Sequence, residues 1–179
     1  RELGVYGYQH VRARKERDGL HLTISQDRSR YCCSRCGSTK VHGKGSRPRS
    51  FRAPSIGQKP TWIDFDVPVV LCRSCHVEAQ VRVPFAQPLK RYTRSFARQV
   101  LSLVKVATTQ DVARHLGVSW DLVRSIEQDH LEKHFSKPRL RSLQTIAIDE
   151  IYCGKKSKYL TIVLDLHSGA IVYVGQGKD

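Results

Sequence analysis

The sequence predicts a multidomain α+β chain in three parts: β-rich, then helical, then β-rich again. Three observations carry this. Two Cys-x-x-Cys pairs, Cys33/Cys36 and Cys72/Cys75, flank a stretch in which apolar and polar residues alternate. Beyond Arg91 the apolar residues recur at helical spacing instead. From Thr145 onward strand-like runs return, separated by polar turns.

Residues 1–30 read as one short β segment, with Leu20, Leu22 and Ile24 alternating against His21, Thr23 and Ser25. The cysteine pairs follow. Each supplies two thiolates from a tight turn, and two such turns face to face make a closed four-thiolate Zn²⁺ site. A site without an open coordination position builds structure and does no chemistry. It would staple a zinc ribbon whose own core is too small to fold unaided. A pair of disulfides is the alternative, but it needs an oxidising compartment, and nothing in the sequence reads as secreted. Cys32 competes with Cys33 as a ligand, yet only Cys33 has the two-residue gap a knuckle uses. His42 and His76 read as surface histidines. Between the knuckles Ile63, Phe65, Val67, Val69 and Leu71 share one face and Asp64 and Asp66 the other, with Pro68 suggesting an edge strand or a bend. Val77, Ala79, Val81 and Val83 predict a strand after the second knuckle. Pro84 and Pro88 close this first domain, residues 1–88.

Residues 89–135 predict a helical domain. Phe96, Val100, Leu103 and Val104 form the apolar stripe of its first helix. Thr108 starts a second, with Asp111 in the position a capping box gives to Glu or Gln. Gly117 ends it, and Ser119 caps a third helix that turns Leu122, Val123 and Ile126 inward. Residues 110–126 thus have the layout of a helix-turn-helix. In that motif the start of the third helix enters the major groove, which makes Trp120, Asp121, Arg124 and Ser125 the candidate DNA-contacting residues. Arg124 leads them, since a guanidinium pairs with guanine in bidentate fashion. A plain three-helix packing unit is the competing reading.

Residues 136–144 read as a basic linker, whose Arg139 and Arg141 join the candidate DNA contacts. Residues 145–150, 159–166 and 170–175 then read as three strands, the last two joined by a turn at Ser168-Gly169.

Charge narrows the partner. The chain of 179 residues carries 31 Lys+Arg against 16 Asp+Glu, a formal net charge of +15. Residues 28–52 hold eight basic residues and no acid, and residues 79–110 hold six more, again without an acid. Such a distribution favours a polyanion, most simply nucleic acid. The absence of any long apolar run excludes a membrane-spanning helix from the reading, and no secretion leader is visible. The sequence contains no methionine and stops just after a strand-like run, so it reads as a piece of a longer protein.

In this order, the Cys33/Cys36 and Cys72/Cys75 pairs, the helix-turn-helix around residues 113–123, Ile148-Asp149-Glu150 and the run 159–166 resemble the ISL-three family of insertion-sequence transposases. That family joins a zinc ribbon and a helix-turn-helix to an RNase H-like catalytic domain, so the resemblance implies that residues 145–179 are the first strands of that α/β domain. It implies too that Asp149 is the first of three catalytic carboxylates (Asp, Asp, Glu) that hold two Mg²⁺ ions for DNA cleavage and strand transfer. The other two acids do not appear before Asp179. The chain is therefore expected to bind double-stranded DNA, at the terminal inverted repeats of its element, without cutting it. A homodimer in the bacterial cytoplasm, associated with the nucleoid, is the expected setting. A non-enzymatic zinc-ribbon and helix-turn-helix regulator is the alternative, and a third reading makes the ribbon chiefly an assembly surface. Glu150 and Asp165 are weaker metal-ligand candidates, and Cys153 reads as a plain thiol.

Overall fold

The computed structural model describes residues 3–135, 140–154 and 159–176. They form a mixed α+β chain with three α-helices and two sheets. It divides into two compact units, Arg1–Glu127 and Gln128–Asp179.

The first unit is built on a five-stranded sheet of β1 (Gln9–Glu16), β2 (Gly19–Ser25), β3 (Val41–Ile56), β4 (Lys59–Cys72) and β5 (Glu78–Gln80), in the order β1-β2-β4-β3 with β5 also on β4. Only β2 and β4 run parallel. The single N-terminal β segment expected from the sequence is a hairpin. Its first strand, β1, is exposed along its whole length, so it carries no alternation to read. The long strand β3 was not expected either, because it is rich in Gly, Ser, Pro and Arg and exposed over most of its first half. It forms because β4 offers an apolar partner along almost its entire length.

In β4 the expected alternation holds from Ile63 through Val67; beyond it Pro68, Val69 and Val70 are all buried and Leu71 is only half-buried, because both faces of the strand are covered there. Pro68 is neither at an edge nor at a break in the strand. The β2 pairing ends at Ile24–Phe65 and the β5 pairing begins at Val69–Gln80, leaving Pro68 between two neighbours on that side. Its carbonyl accepts from Val81 N–H there, and its missing N–H would point the same way, where no ladder bond is required. The strand expected after the second knuckle shrinks to Glu78–Gln80, extended only by a bridge from Val81 to Cys33.

The sheet core comprises ten buried residues, among them Phe51, Ile63, Phe65, Val70 and Phe85. Tyr8, Phe51 and Phe85 pack edge-to-face about this centre. It is a larger core than the metal-stapled module the sequence suggested.

The helical part of the same unit has its own core of Tyr92, Phe96, Val100, Val112, Ala113, Leu116, Val123 and Ile126. Helix α1 (Arg94–Leu103) starts at Thr93, whose hydroxyl accepts from Phe96 N–H. Helix α2 (Thr109–Leu116) starts at Thr108, which accepts from Asp111 N–H while donating to the Asp111 carboxylate. Gly117 ends it at φ 63°, a conformation that costs glycine no steric strain. Helix α3 (Trp120–Phe135) begins where Ser119 Oγ accepts from Leu122 N–H, and it runs across the division between the two units. The expected end of the first domain at residue 88 falls inside the first unit.

The second unit holds β6 (Ile146–Tyr152), β7 (Tyr159–Asp165) and β8 (Ile171–Gln176) as an antiparallel meander in that order. The Ser168-Gly169 turn is closed by Asp165, whose carboxylate accepts from His167 N–H and Ser168 Oγ. Those bonds hold its carboxyl below the usual carboxylate range. Both faces of this sheet are apolar, as in sheets covered by helices on two sides.

Candidate zinc centre and nucleic-acid interface

The two knuckles are near copies of each other. Cys33 N–H donates to Ser38 O and Gly37 N–H to Cys33 O; Cys72 N–H donates to Val77 O and His76 N–H to Cys72 O. The fourth residue after each first cysteine takes a left-handed backbone, Gly37 at φ 75° and His76 at φ 55°. This turn points both sulfurs of a pair to the same side. Ser38 Oγ and Ser74 Oγ lie 2.8 Å apart and Arg73 N–H donates to Lys40 O, tying one knuckle to the other.

The four sulfurs come together as the spacing predicts. Cys33 Sγ is 3.6 Å from Cys75 Sγ, and Cys36 Sγ is 3.6 Å from Cys72 Sγ. All four lie within 4.8 Å of one another. A tetrahedral ion with Zn–S bonds of about 2.3 Å needs sulfurs about 3.8 Å apart, so the set fits Zn²⁺ in both chemistry and spacing. The protonation pattern is uneven. Backbone N–H groups of Cys75 and Ser74 bring the Cys72 thiol down to about 6, those of Cys36 and Arg35 lower Cys33, and burial pushes Cys75 up to about 12. Zinc binding therefore has to displace the proton of Cys75. Cys32 stands outside the cluster, as do His42 and His76.

On α3 the first exposed turn presents Trp120, Asp121 and Arg124, while Ser125 is half-buried. The Arg124 guanidinium lies over the Trp120 ring, 4.9 Å from its centroid. The stack is worth about 0.5–1 kcal/mol at an exposed site and restricts where the guanidinium points. Arg141 is exposed in a short turn (Leu140–Ser142), and Arg139 lies outside the described residues.

Sequence reasoning missed the role of Arg52. It stands in the basic run 28–52, yet it is 3% exposed. Its guanidinium donates to Ala53 O (2.9 Å), Thr61 O (3.1 Å), Ser55 Oγ (3.4 Å) and Leu116 O (3.1 Å). It also sits 5.5 Å from the Trp62 ring centroid and 5.2 Å from that of Phe96. Leu116 is the last residue of α2, where the helix dipole favours a cation. Burial lowers the pKa of this arginine. Arg52 thus joins the ribbon sheet to the end of α2, and its backbone adds a bond to Arg91 O and one from Thr93 N–H. No signal in the sequence separates it from its solvated neighbours.

Asp149 lies exposed on β6, where one carboxylate oxygen accepts from Glu150 N–H (2.8 Å). The alternation within β6 suggests that it points away from the more apolar side, but the register corrects this. Asp149 is level with Ile162, which is level with Val174, so its own face is apolar as well. Among the described residues it belongs to no group of three metal-ligand side chains. One carboxylate and its neighbour do not by themselves fit a two-ion Mg²⁺ site.

Two family comparisons match. The zinc-finger of transposases of the IS204/IS1001/IS1096/IS1165 type matches residues 29–75, and the helix-turn-helix domain of transposase family ISL3 matches residues 81–131. Among curated proteins, the transposase for insertion sequence element IS1557 of Mycobacterium tuberculosis is 28% identical over 151 residues, covering 82% of this chain and 33% of its own length. The transposase for insertion sequence element IS1001 of Bordetella parapertussis is 23% identical over 107 residues, covering 60% of this chain and 26% of its own. The chain spans about a third or less of the length of these relatives. No solved structure matches. Among the described residues no helix is long and apolar enough to cross a membrane.

Proposed function

Because this chain is a segment of an ISL3-family transposase, we propose that its ribbon and helix-turn-helix grip the terminal inverted repeats of an insertion sequence. The observation that carries this is the helix-turn-helix itself: α2, a Gly117 turn, and an α3 whose first turn shows Trp120, Asp121 and Arg124 to solvent in a chain of net charge +15. Zinc holds the ribbon and takes no part in chemistry. A homodimer would set one copy on each inverted end, since two-fold protein symmetry matches inverted DNA sites.

Asp149, on the first strand of the β6-β7-β8 meander, is proposed as the first acid of a DDE site in an RNase H-like domain. Its place on a first strand within a sheet apolar on both faces supports that reading. In the complete protein it would hold Mg²⁺ through oxygen, the ligand that ion prefers. This chain is expected to bind DNA and leave the phosphodiester intact. A nicking assay with Mg²⁺ should be blank, and cleavage abolished by Asp149→Asn would overturn that expectation.

DNase I footprinting tests the DNA reading. Protection of the element's own ends supports it. Protection of a promoter alone would make the chain a regulator.

A further inference from the structure

The first unit carries a second basic surface, and none of its lining residues belongs to α3. A groove of about 580 Å³ is lined by Arg47 and Arg49 of β3, Arg82 beyond β5, and Arg94 at the start of α1. No carboxylate lines it among the described residues. A neighbouring depression bounded by Arg12, Arg14 and Arg49 differs, because Asp64 and Asp66 share its walls and cancel much of its charge.

The groove's arginines are partly ordered in advance. Arg49 stacks over Phe51, 5.3 Å from the ring centroid, and reaches Gln80 Oε1 at 3.5 Å. Arg94 donates through Nε to Pro84 O (3.0 Å). A guanidinium fixed in this way loses less rotamer freedom when it meets a phosphate than a lysine would. Four guanidiniums with no acid among them fit a row of phosphates.

We propose that this groove is the surface by which the ribbon meets duplex DNA, seating its sugar-phosphate backbone. The proposal rests on the DNA-binding reading above. These contacts fix register and add affinity without reading bases.

The test compares the chain with its Arg47→Gln/Arg82→Gln double variant, both zinc-loaded, on a fluorescein-labelled duplex of random sequence across a salt series. Both side chains are exposed, so the variant is expected to keep the parent's circular dichroism and zinc content. Each phosphate neutralised contributes about 0.9 to the slope of log K against log salt, so the double variant should be shallower by about 1.8. Arg12→Gln/Arg14→Gln, on the acid-bearing side, should change the slope by much less. An unchanged slope in the Arg47/Arg82 variant, or an equal drop in the Arg12/Arg14 variant, overturns the groove while leaving the recognition helix in place. Failure of the unaltered chain to bind duplex at all would overturn the DNA reading itself, and the groove with it. Binding of fluorescein-labelled polyglutamate that the Arg47→Gln/Arg82→Gln variant loses while its duplex binding stays unchanged would assign the groove to an acidic protein and overturn the proposal.

Discussion

Replacing Arg52 with methionine should cost more stability than any surface arginine, and the amount follows from its contacts. The guanidinium is 3% exposed and serves three carbonyls and one hydroxyl. Methionine fills much of the same volume but leaves the Leu116 carbonyl at the end of α2 without a donor, while Ala53 and Thr61 stay paired with each other across β3 and β4. Each buried acceptor left unpaired costs about 1–3 kcal/mol, and the lost stacking on Trp62 and Phe96 adds about 1 kcal/mol or more. Removing a buried charge returns part of this, so a net loss of about 2–3 kcal/mol is expected. That is a large share of the roughly 5–15 kcal/mol that holds an ordinary domain together. Arg52→Lys should lose about 1–2 kcal/mol, because a compact ammonium cannot reach both the sheet carbonyls and Leu116 O. Urea unfolding of the zinc-loaded protein measures both. The two tryptophans, Trp62 on β4 and Trp120 on α3, report the sheet and the helices separately. The variants should split one transition into two, with the helical signal lost first. A methionine variant within about 0.5 kcal/mol of the parent, unfolding in one step, would refute the clamp.

Zinc removal with a chelator should loosen the knuckles and the β3–β4 end at Val41–Cys72, while hydrogen exchange stays slow around Phe51 and Ile63; uniform loss of protection would mean the sheet core cannot stand without metal. Zinc binding near neutral pH should release protons, that of Cys75 among them since burial raises its thiol to about 12, and calorimetry in buffers of different ionisation enthalpy reads that release. Arg124→Ala should relax preference at one base position at a cost of about 1–3 kcal/mol, whereas equal weakening on all sequences would make it a phosphate contact. His21 supplies a pH dependence. Burial opposes its charge, but its bonds to Asp64 (2.9 Å) and Asp18 (3.2 Å) outweigh burial and raise its pKa. Its stabilising contribution is therefore complete below the unfolded value of about 6.5 and disappears as pH rises through the higher folded value. The slope of stability against pH should flatten in a His21→Gln variant, and an unchanged slope would assign the dependence elsewhere.

Features written in local chemistry could be read directly from the sequence. A Cys-x-x-Cys turn needs only six residues to aim two sulfurs, so Cys33, Cys36, Cys72 and Cys75 identify themselves by spacing. Thr108, Gly117 and Ser119 mark helix ends because capping bonds span three or four residues. The apolar stripes of α1 and of β4 as far as Val67 declare their own periods. Other features are decided between segments distant in the sequence. Strand β3 exists because β4 pairs with it, and β1 because β2 does, so neither needs an apolar pattern of its own. Arg52 differs from Arg47 and Arg49 only in what the fold places around it, the end of α2 and the rings of Trp62 and Phe96. The face of Asp149 likewise depends on strands β7 and β8, which bring Ile162 and Val174 alongside it. Sequence fixes what one turn or one stripe can fix; the fate of a charge depends on the dielectric and the acceptors brought to it, and only the tertiary fold supplies those.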